Sequence, residues 1–276
     1  MSADHHTGAQ DGTGAQDGGQ LTLDQPAPGV ARLTISNPEK RGALDSAILS
    51  EFARLLPALD ARCLIITGEG RTFSAGYDIG DLPDEVFADA AERLIAHPFA
   101  AAIEAIEAYP FPVLAALNGH TIGGGLELAI SCDLRIAADG IKLGMPPGKL
   151  GLVYSHTGLR KFIDVVGAAR TRDLFLTSRR VDAARAEQWG LVNEVVAADA
   201  LSEHVLVLAS EIASNAPIAQ IGNKKVIDTV LSARAELPTE LERELIELRL
   251  AAFRSEDFRE GVQAFAQKRP PEWTGR

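Results

Sequence analysis

The hydrophobic positions along the chain change period several times. Leu21–Asp24 and Val30–Ser36 alternate as two strands joined by a Pro/Gly turn. A polar loop, Asn37-Pro38-Glu39-Lys40-Arg41-Gly42, follows. Asp45 then precedes apolar residues at Ile48, Leu49, Phe52, Leu55 and Leu56, the spacing of a capped amphipathic helix. Cys63–Thr67 predicts a short buried strand, closed by Gly68-Glu69-Gly70. A loop from Arg71 to Asp81 leads to a helical pattern between Asp84 and Ala108. The apolar run Pro112–Leu117 predicts the next strand, Leu126–Ile130 a buried helix, and Leu134–Ala137 a further strand. This order predicts an α/β fold with a parallel sheet and right-handed crossovers. After Gly158 the pattern is helical, with one strand-like segment at Leu191–Val196 and amphipathic helices from Leu201 to Gln267.

Three regions follow from this pattern: a tail over residues 1–20, an α/β core over 21–198, and a helical C-terminal region over 199–276. The tail repeats Thr-Gly-Ala-Gln-Asp-Gly at Thr7–Gly12 and Thr13–Gly18, and has no apolar residue larger than alanine between Ser2 and Gln20. Such a segment buries too little surface to offset its ordering entropy, so disorder is expected there. A helix-rich end after an α/β core covers a face of that core or packs on another subunit.

Composition narrows the function. The 276 residues are 46% hydrophobic, enough for one large core. A formal net charge of −11, from 27 basic and 38 acidic side chains, argues against nucleic acid as a partner, while a local basic patch still suits a phosphorylated small molecule. Cys63 and Cys132 both stand in apolar context and read as buried free thiols of a reducing, cytoplasmic compartment. No apolar run reaches transmembrane length, so no membrane is expected as partner, and a secretory signal is not expected either.

Chemistry concentrates in Asn118-Gly119-His120-Thr121-Ile122-Gly123-Gly124-Gly125-Leu126-Glu127-Leu128-Ala129. Three glycines at a strand-to-helix junction let a ligand approach the backbone and leave N–H groups facing it. Those donors suit an oxygen that becomes negative, and Glu127 in the first turn adds a carboxylate for acid–base work. A plain glycine-rich turn with a helix-start glutamate fits the same letters. A second loop, Arg71-Thr72-Phe73-Ser74-Ala75-Gly76-Tyr77-Asp78-Ile79, also follows a strand. In open parallel sheets, ligand sites gather at the carboxyl ends of strands, so both loops are expected at one end of the sheet.

These two motifs, in this order and spacing, resemble the enoyl-CoA hydratase/isomerase (crotonase) superfamily. So do Asn37-Pro38-Glu39-Lys40-Arg41, the stretch Ala186–Val196 and the ending Phe265–Pro271. The resemblance spans residues 21–276. It implies a ClpP/crotonase-like spiral of ββα units with a helical C-terminal trimerisation region, assembled as trimers or hexamers. It implies an acyl-CoA substrate and no metal or other cofactor. It places the thioester oxygen between the amides of Tyr77 and Gly124, an oxyanion hole. Lys40, Arg41 and Ala43 match the segment along the coenzyme, for which a solvated loop is the plain alternative. Ala75, Asp78, Ile79 and Gly123 flank the two amides.

The family's hydratases use two glutamates. Glu127 matches the first, but the second falls on Pro147, within Gly144-Met145-Pro146-Pro147-Gly148-Lys149-Leu150-Gly151. Proline has no proton to exchange, which weakens both hydration and double-bond isomerisation. Phe73–Pro83, Leu150–Gly158 and Arg254–Gly261 resemble the methylmalonyl-CoA decarboxylase branch instead. There the tyrosine matching Tyr154 lies by the substrate carboxylate, and loss of carbon dioxide leaves an enolate that the same two amides stabilise. His156 is then a neighbouring proton source or simply a helix-capping residue. Tyr77 departs from that branch, where histidine is familiar. Tyr154 is either the orienting hydroxyl or a packed aromatic. Three readings stay open: a lyase that decarboxylates a malonyl-type acyl-CoA, a hydratase/isomerase with an altered second acid, and a non-catalytic acyl-CoA-binding protein.

Overall fold

A computed structural model describes residues 18–78, 97–233 and 237–276. The repeated-hexapeptide segment up to Asp17, the residues from Asp84 to Ala96 and Ile79 lie outside the described residues. The first strand, β1 (Gln20–Ala27), begins one residue inside the stretch assigned to the tail, and pairs antiparallel with β2 (Val30–Ser36). In β2, Leu33 and Ile35 are fully buried while Arg32 and Thr34 are only partly so, the alternation expected of a half-buried strand. Asp45 caps α1 (Ser46–Leu55) through the amide of Ile48 at 2.9 Å, and the helix buries Ile48, Leu49 and Phe52.

The chain then repeats one unit, sending its first strand to a large sheet, its second to a small one, and returning by a helix. The units are β3 (Cys63–Gly68), β4 (Thr72–Ser74) and α2 (His97–Glu107); β5 (Val113–Leu117), β6 (His120–Ile122) and α3 (Gly124–Ile130); β7 (Leu134–Ala138), β8 (Lys142–Gly144) and α4 (His156–Thr177). The large sheet runs β1-β2-β3-β5-β7-β10, parallel from β2 onward, and the small one β4-β6-β8-β9. This is the ββα spiral of the crotonase fold. Asn118 ties two units together: its Oδ1 accepts from the Gly68 amide at 2.9 Å and its Nδ2 donates to the Gly70 carbonyl at 3.0 Å.

Two expectations need adjustment. The strand expected over Leu191–Val196 is only β10 (Glu194–Val196), because Gly190 ends α5 (Ala183–Trp189) at φ +75° and Leu191 and Val192 bury in the turn that follows. The region after Gly158 is also not purely helical: β9 (Arg180–Asp182) closes the small sheet. Both cysteines are free and buried, and burial pushes each thiol up to about 12.

The C-terminal helices are α6 (Leu201–Ser214), α7 (Pro217–Ala233), α8 (Thr239–Arg254) and α9 (Glu256–Gln267). Among the described residues, no single helix is long and apolar enough to cross a membrane. α9 lies on the 3-10 turn Pro147–Leu150, and a side chain at Gly261 would stand 2.6 Å from the Leu150 carbonyl. The chain end is strapped to α9: Arg269 pairs with Glu260, and the Thr274 amide donates to Asp257 at 2.7 Å. α7 buries no residue of its own and exposes Ile218, Val226 and Ile227.

Candidate active site

The two loops meet backbone against backbone. Gly76 sits at φ +99°, and a Cβ there would lie 2.9 Å from the Ile122 carbonyl oxygen and 3.2 Å from the Gly124 amide nitrogen. A Cβ on Gly125 would lie 2.5 Å from that of Ser74. Glycine at these positions is what lets α3 start against β4. The loop after β2 forms the third edge. The Leu44 amide donates to the Gly76 carbonyl at 2.8 Å, Asp78 donates back to Leu44 at 3.1 Å, and Ala75 donates to Arg41 at 3.1 Å. Among the described residues, no acceptor takes the amide N–H of Tyr77 or of Gly124, and both residues face one cavity of about 850 Å³.

The Tyr77 ring lies directly over Gly124, where an added Cβ would meet three ring carbons at 3.0 to 3.1 Å. Phe99 of α2 packs edge-on against that ring, with centroids 4.6 Å apart. The Tyr154 hydroxyl donates to Glu127 Oε2, and both tyrosines line the same cavity. Phe175 braces Tyr154 edge-on at 5.3 Å. Gly158, in the first turn of α4, closes over this pair: a Cβ there would stand 2.7 Å from Glu127 Oε1 and 2.8 Å from Tyr154 Cε1.

Burial governs the charges. Glu127 is 5% exposed, and desolvation raises its carboxyl pKa above the ordinary glutamate value. The hydrogen bond from Tyr154 and the charges of Lys161 and Arg249 oppose that rise, while Glu107 adds to it. Burial, and then the nearby Glu127, raise both tyrosines well above the ordinary phenol value.

The cavity gathers most of the residues that the sequence singles out. Tyr77, Gly124, Glu127 and Tyr154 line it together, and so do Ala75, Gly123, Pro147 and Arg41. The others stand apart. Ala43 is buried behind the loop, where its carbonyl accepts from Asn37 Nδ2 at 3.0 Å. Lys40 and Asp78 pair with each other at 2.7 Å outside the cavity wall. His156 neither caps its helix nor lines the cavity. Ser155 caps α4, and the His156 ring turns to Glu242 of α8 at 3.5 Å, because the first turn points it outward. His120 lines the cavity, its Nδ1 accepting from the Lys142 amide at 3.0 Å.

Sequence reasoning missed Arg249 and the packing role of Gly158. Arg249 comes from α8, lines the same cavity and lies 5.3 Å from the Phe253 ring centroid. No local pattern marks it, since only the return of the C-terminal helices brings it to Glu127. Gly158 stands in a quoted motif, but its task appears only once Glu127 and Tyr154 are seen on either side.

Comparison with known proteins agrees with this architecture. A probable enoyl-CoA hydratase of Mycobacterium tuberculosis is 36% identical over 251 residues, covering 90% of this chain and 95% of its own. The 2,3-dehydroadipyl-CoA hydratase of Escherichia coli is 32% identical, covering 90% and 96%. Among solved structures, methylmalonyl-CoA decarboxylase complexed with 2S-carboxypropyl CoA superposes with a TM-score of 0.85 at 26% identity, over 93% of this chain and 98% of that one. The enoyl-CoA hydratase of Bacillus anthracis gives 0.70 at 29% identity, over 93% and 99%. The model of the enoyl-CoA hydratase/isomerase family matches residues 26–276, and the chain belongs to that family.

Proposed function

We propose that this protein decarboxylates a malonyl-type acyl-CoA through a thioester enolate. The observation that carries the reading is the lining around Glu127: Pro147, opening the 3-10 turn, stands where hydration would want a second acid, and the Tyr154 hydroxyl, hydrogen-bonded to Glu127, lines the same cavity. The higher TM-score against methylmalonyl-CoA decarboxylase than against the Bacillus anthracis hydratase supports the same choice, despite the lower identity.

In this reading the thioester oxygen lies between the amides of Tyr77 and Gly124. The bond from the α-carbon to the carboxylate breaks, carbon dioxide leaves, and the electron pair moves onto that oxygen as an enolate. Fixed N–H donors aimed at developing charge are worth roughly 10²–10³ in rate each. Tyr154 orients the carboxylate out of the thioester plane, which aligns the breaking bond with the carbonyl π system. The proton that then forms the α-C–H bond comes through the Tyr154 hydroxyl, which is reprotonated from water. Arg41, on the cavity lining, suits the nucleotide phosphates. The exposed apolar residues of α7 suit a subunit interface, so a trimer, or a pair of trimers, is the expected assembly, and a cytoplasmic setting agrees with two free thiols.

A hydratase with an altered second acid is the other reading. The relatives named hydratases favour it, and Glu107 lines the same cavity, although Lys161 already pairs with it. Incubation with methylmalonyl-CoA, ethylmalonyl-CoA and crotonyl-CoA, followed by mass analysis, decides. Loss of carbon dioxide is the expected result. Addition of water to crotonyl-CoA alone would replace this reading with hydration, and CoA binding with neither product would leave a non-catalytic acyl-CoA-binding protein.

A further inference from the structure

Many cations line the cavity, and two of them, Lys161 and Arg249, act on Glu127. Lys161 pairs with Glu107 and donates to Ser131 Oγ at 3.0 Å. Lys224 pairs with Asp133 at 2.7 Å. Arg135 is spent on the carbonyls of Leu191 and Cys132. Arg249 differs. It is half-buried at the cavity wall, held against the Phe253 ring at 5.3 Å, and among the described residues no carboxylate pairs with it. A guanidinium in this state keeps its fork of N–H donors available, and that fork matches a carboxylate.

Its position says which part of a ligand it would meet. The Arg249 charge acts on both Glu127 and the Tyr77 hydroxyl, the two groups at the reacting end, whereas Arg41, on the loop after β2 and lining the same cavity, is not among the charges that act on either. A phosphate of the coenzyme therefore belongs to Arg41, and Arg249 faces the acyl group. We infer that Arg249, carried by α8 and stacked on Phe253, receives a free carboxylate on the acyl group, so that the protein selects CoA thioesters of dicarboxylic acids. This rests on the proposed seat of the thioester at Tyr77 and Gly124, and it adds a specificity residue to that site from outside the ββα core. A plain counter-ion to Glu127 is the competing role.

Two inert thioethers separate these roles: S-(2-carboxypropyl)-CoA and S-isobutyl-CoA, which differ in having a carboxylate or a methyl at one position. Titration calorimetry on the full chain is expected to show the carboxylated ligand binding about tenfold or more tighter, the scale of one charge-assisted hydrogen bond. Arg249→Gln is expected to abolish that ratio and leave affinity for the isobutyl ligand within about twofold, and Arg249→Lys to keep part of it. A thermal melt of each variant checks folding. If Arg249→Gln keeps the ratio, or the unmodified protein shows none, the inference fails, even where methylmalonyl-CoA is decarboxylated. If the ratio holds but no carbon dioxide is released, the decarboxylation reading fails and the carboxylate receptor stands.

Discussion

The Tyr154 hydroxyl donates to Glu127 Oε2 inside a pocket sealed by Gly158. A phenol has one proton to give. While Glu127 is ionised, that proton is committed to it, and Tyr154 can only accept from a ligand. Once Glu127 is protonated the bond can reverse, and the Tyr154 proton becomes available to a substrate carboxylate. The raised pKa of Glu127 therefore bears directly on the proposed chemistry.

The pH dependence follows with a definite sign. The folded-state pKa of Glu127 lies above its unfolded value. Its contribution to stability is then fully present below the ordinary glutamate range and is lost as the pH rises through the folded value. Glu127→Gln mimics the protonated form and still reaches Tyr154. It is expected to raise the Tm at pH 7 to 8, by about 2–4 °C per kcal/mol gained, and to bring no gain near pH 4. It is also expected to retain decarboxylation and flatten the fall in kcat at high pH. Melts across pH and a pH–rate profile check this, and an unchanged Tm with lost turnover would show an ionised Glu127 at work.

Tyr154→Phe keeps the ring against Phe175 and removes only the hydroxyl. The buried Glu127 loses its donor, so its pKa rises further, and the substrate carboxylate loses its guide. A fall in kcat of about 10²-fold is expected, with little change in affinity for CoA itself. Stability should fall by about 1–3 kcal/mol, the cost of an unsatisfied buried partner. Full carbon dioxide release by the variant would end the orienting role.

Much of this site was legible in the sequence, because its closest backbone contacts carry a local signature. Gly76-Tyr77 and Gly123-Gly124-Gly125 announce two turns where chain must pass close to chain, and the structure presses them together. The strands β3 and β5 were equally clear as buried, mostly apolar runs, and β2 as an alternation of buried and half-buried positions. The small sheet was not. Its strands β4, β6, β8 and β9 have three residues each, too few to show a period of two, and they form only through pairing with distant segments. His156 misled for a related reason. Its letters allow a site residue, but the direction of its ring is set by where the first turn of α4 meets Glu242.

Gly76→Ala tests the close approach. At φ +99° an alanine is strained, and its Cβ would collide with the Ile122 carbonyl at 2.9 Å. Strain of about 1–3 kcal/mol is expected, lowering the Tm by several degrees. Because the backbone must shift to relieve it, the amides of Tyr77 and Gly124 also separate, and kcat should fall by about 10²-fold or more. A variant that folds, melts lower and still turns over at the full rate would show that the two amides do not act together.

Pro147→Glu asks whether reaction choice resides at that one position. Pro147 is buried at the start of the 3-10 turn and lines the same cavity as Glu127. A glutamate there has a fixed backbone beneath it, since the Leu152 amide still donates to residue 147 at 3.0 Å and the Lys149 amide to Pro146 at 2.9 Å. Two carboxyl groups across one pocket repel, so one holds its proton while the other ionises, the pairing that activates and protonates around a bound water. The variant is expected to gain hydration of crotonyl-CoA, by about tenfold or more over the unmodified chain, and to lose decarboxylation as the new charge repels a substrate carboxylate. Product analysis by mass checks both outcomes. Strong hydration by the unmodified chain, unchanged in the variant, would place the second acid elsewhere, with Glu107 the residue to substitute next.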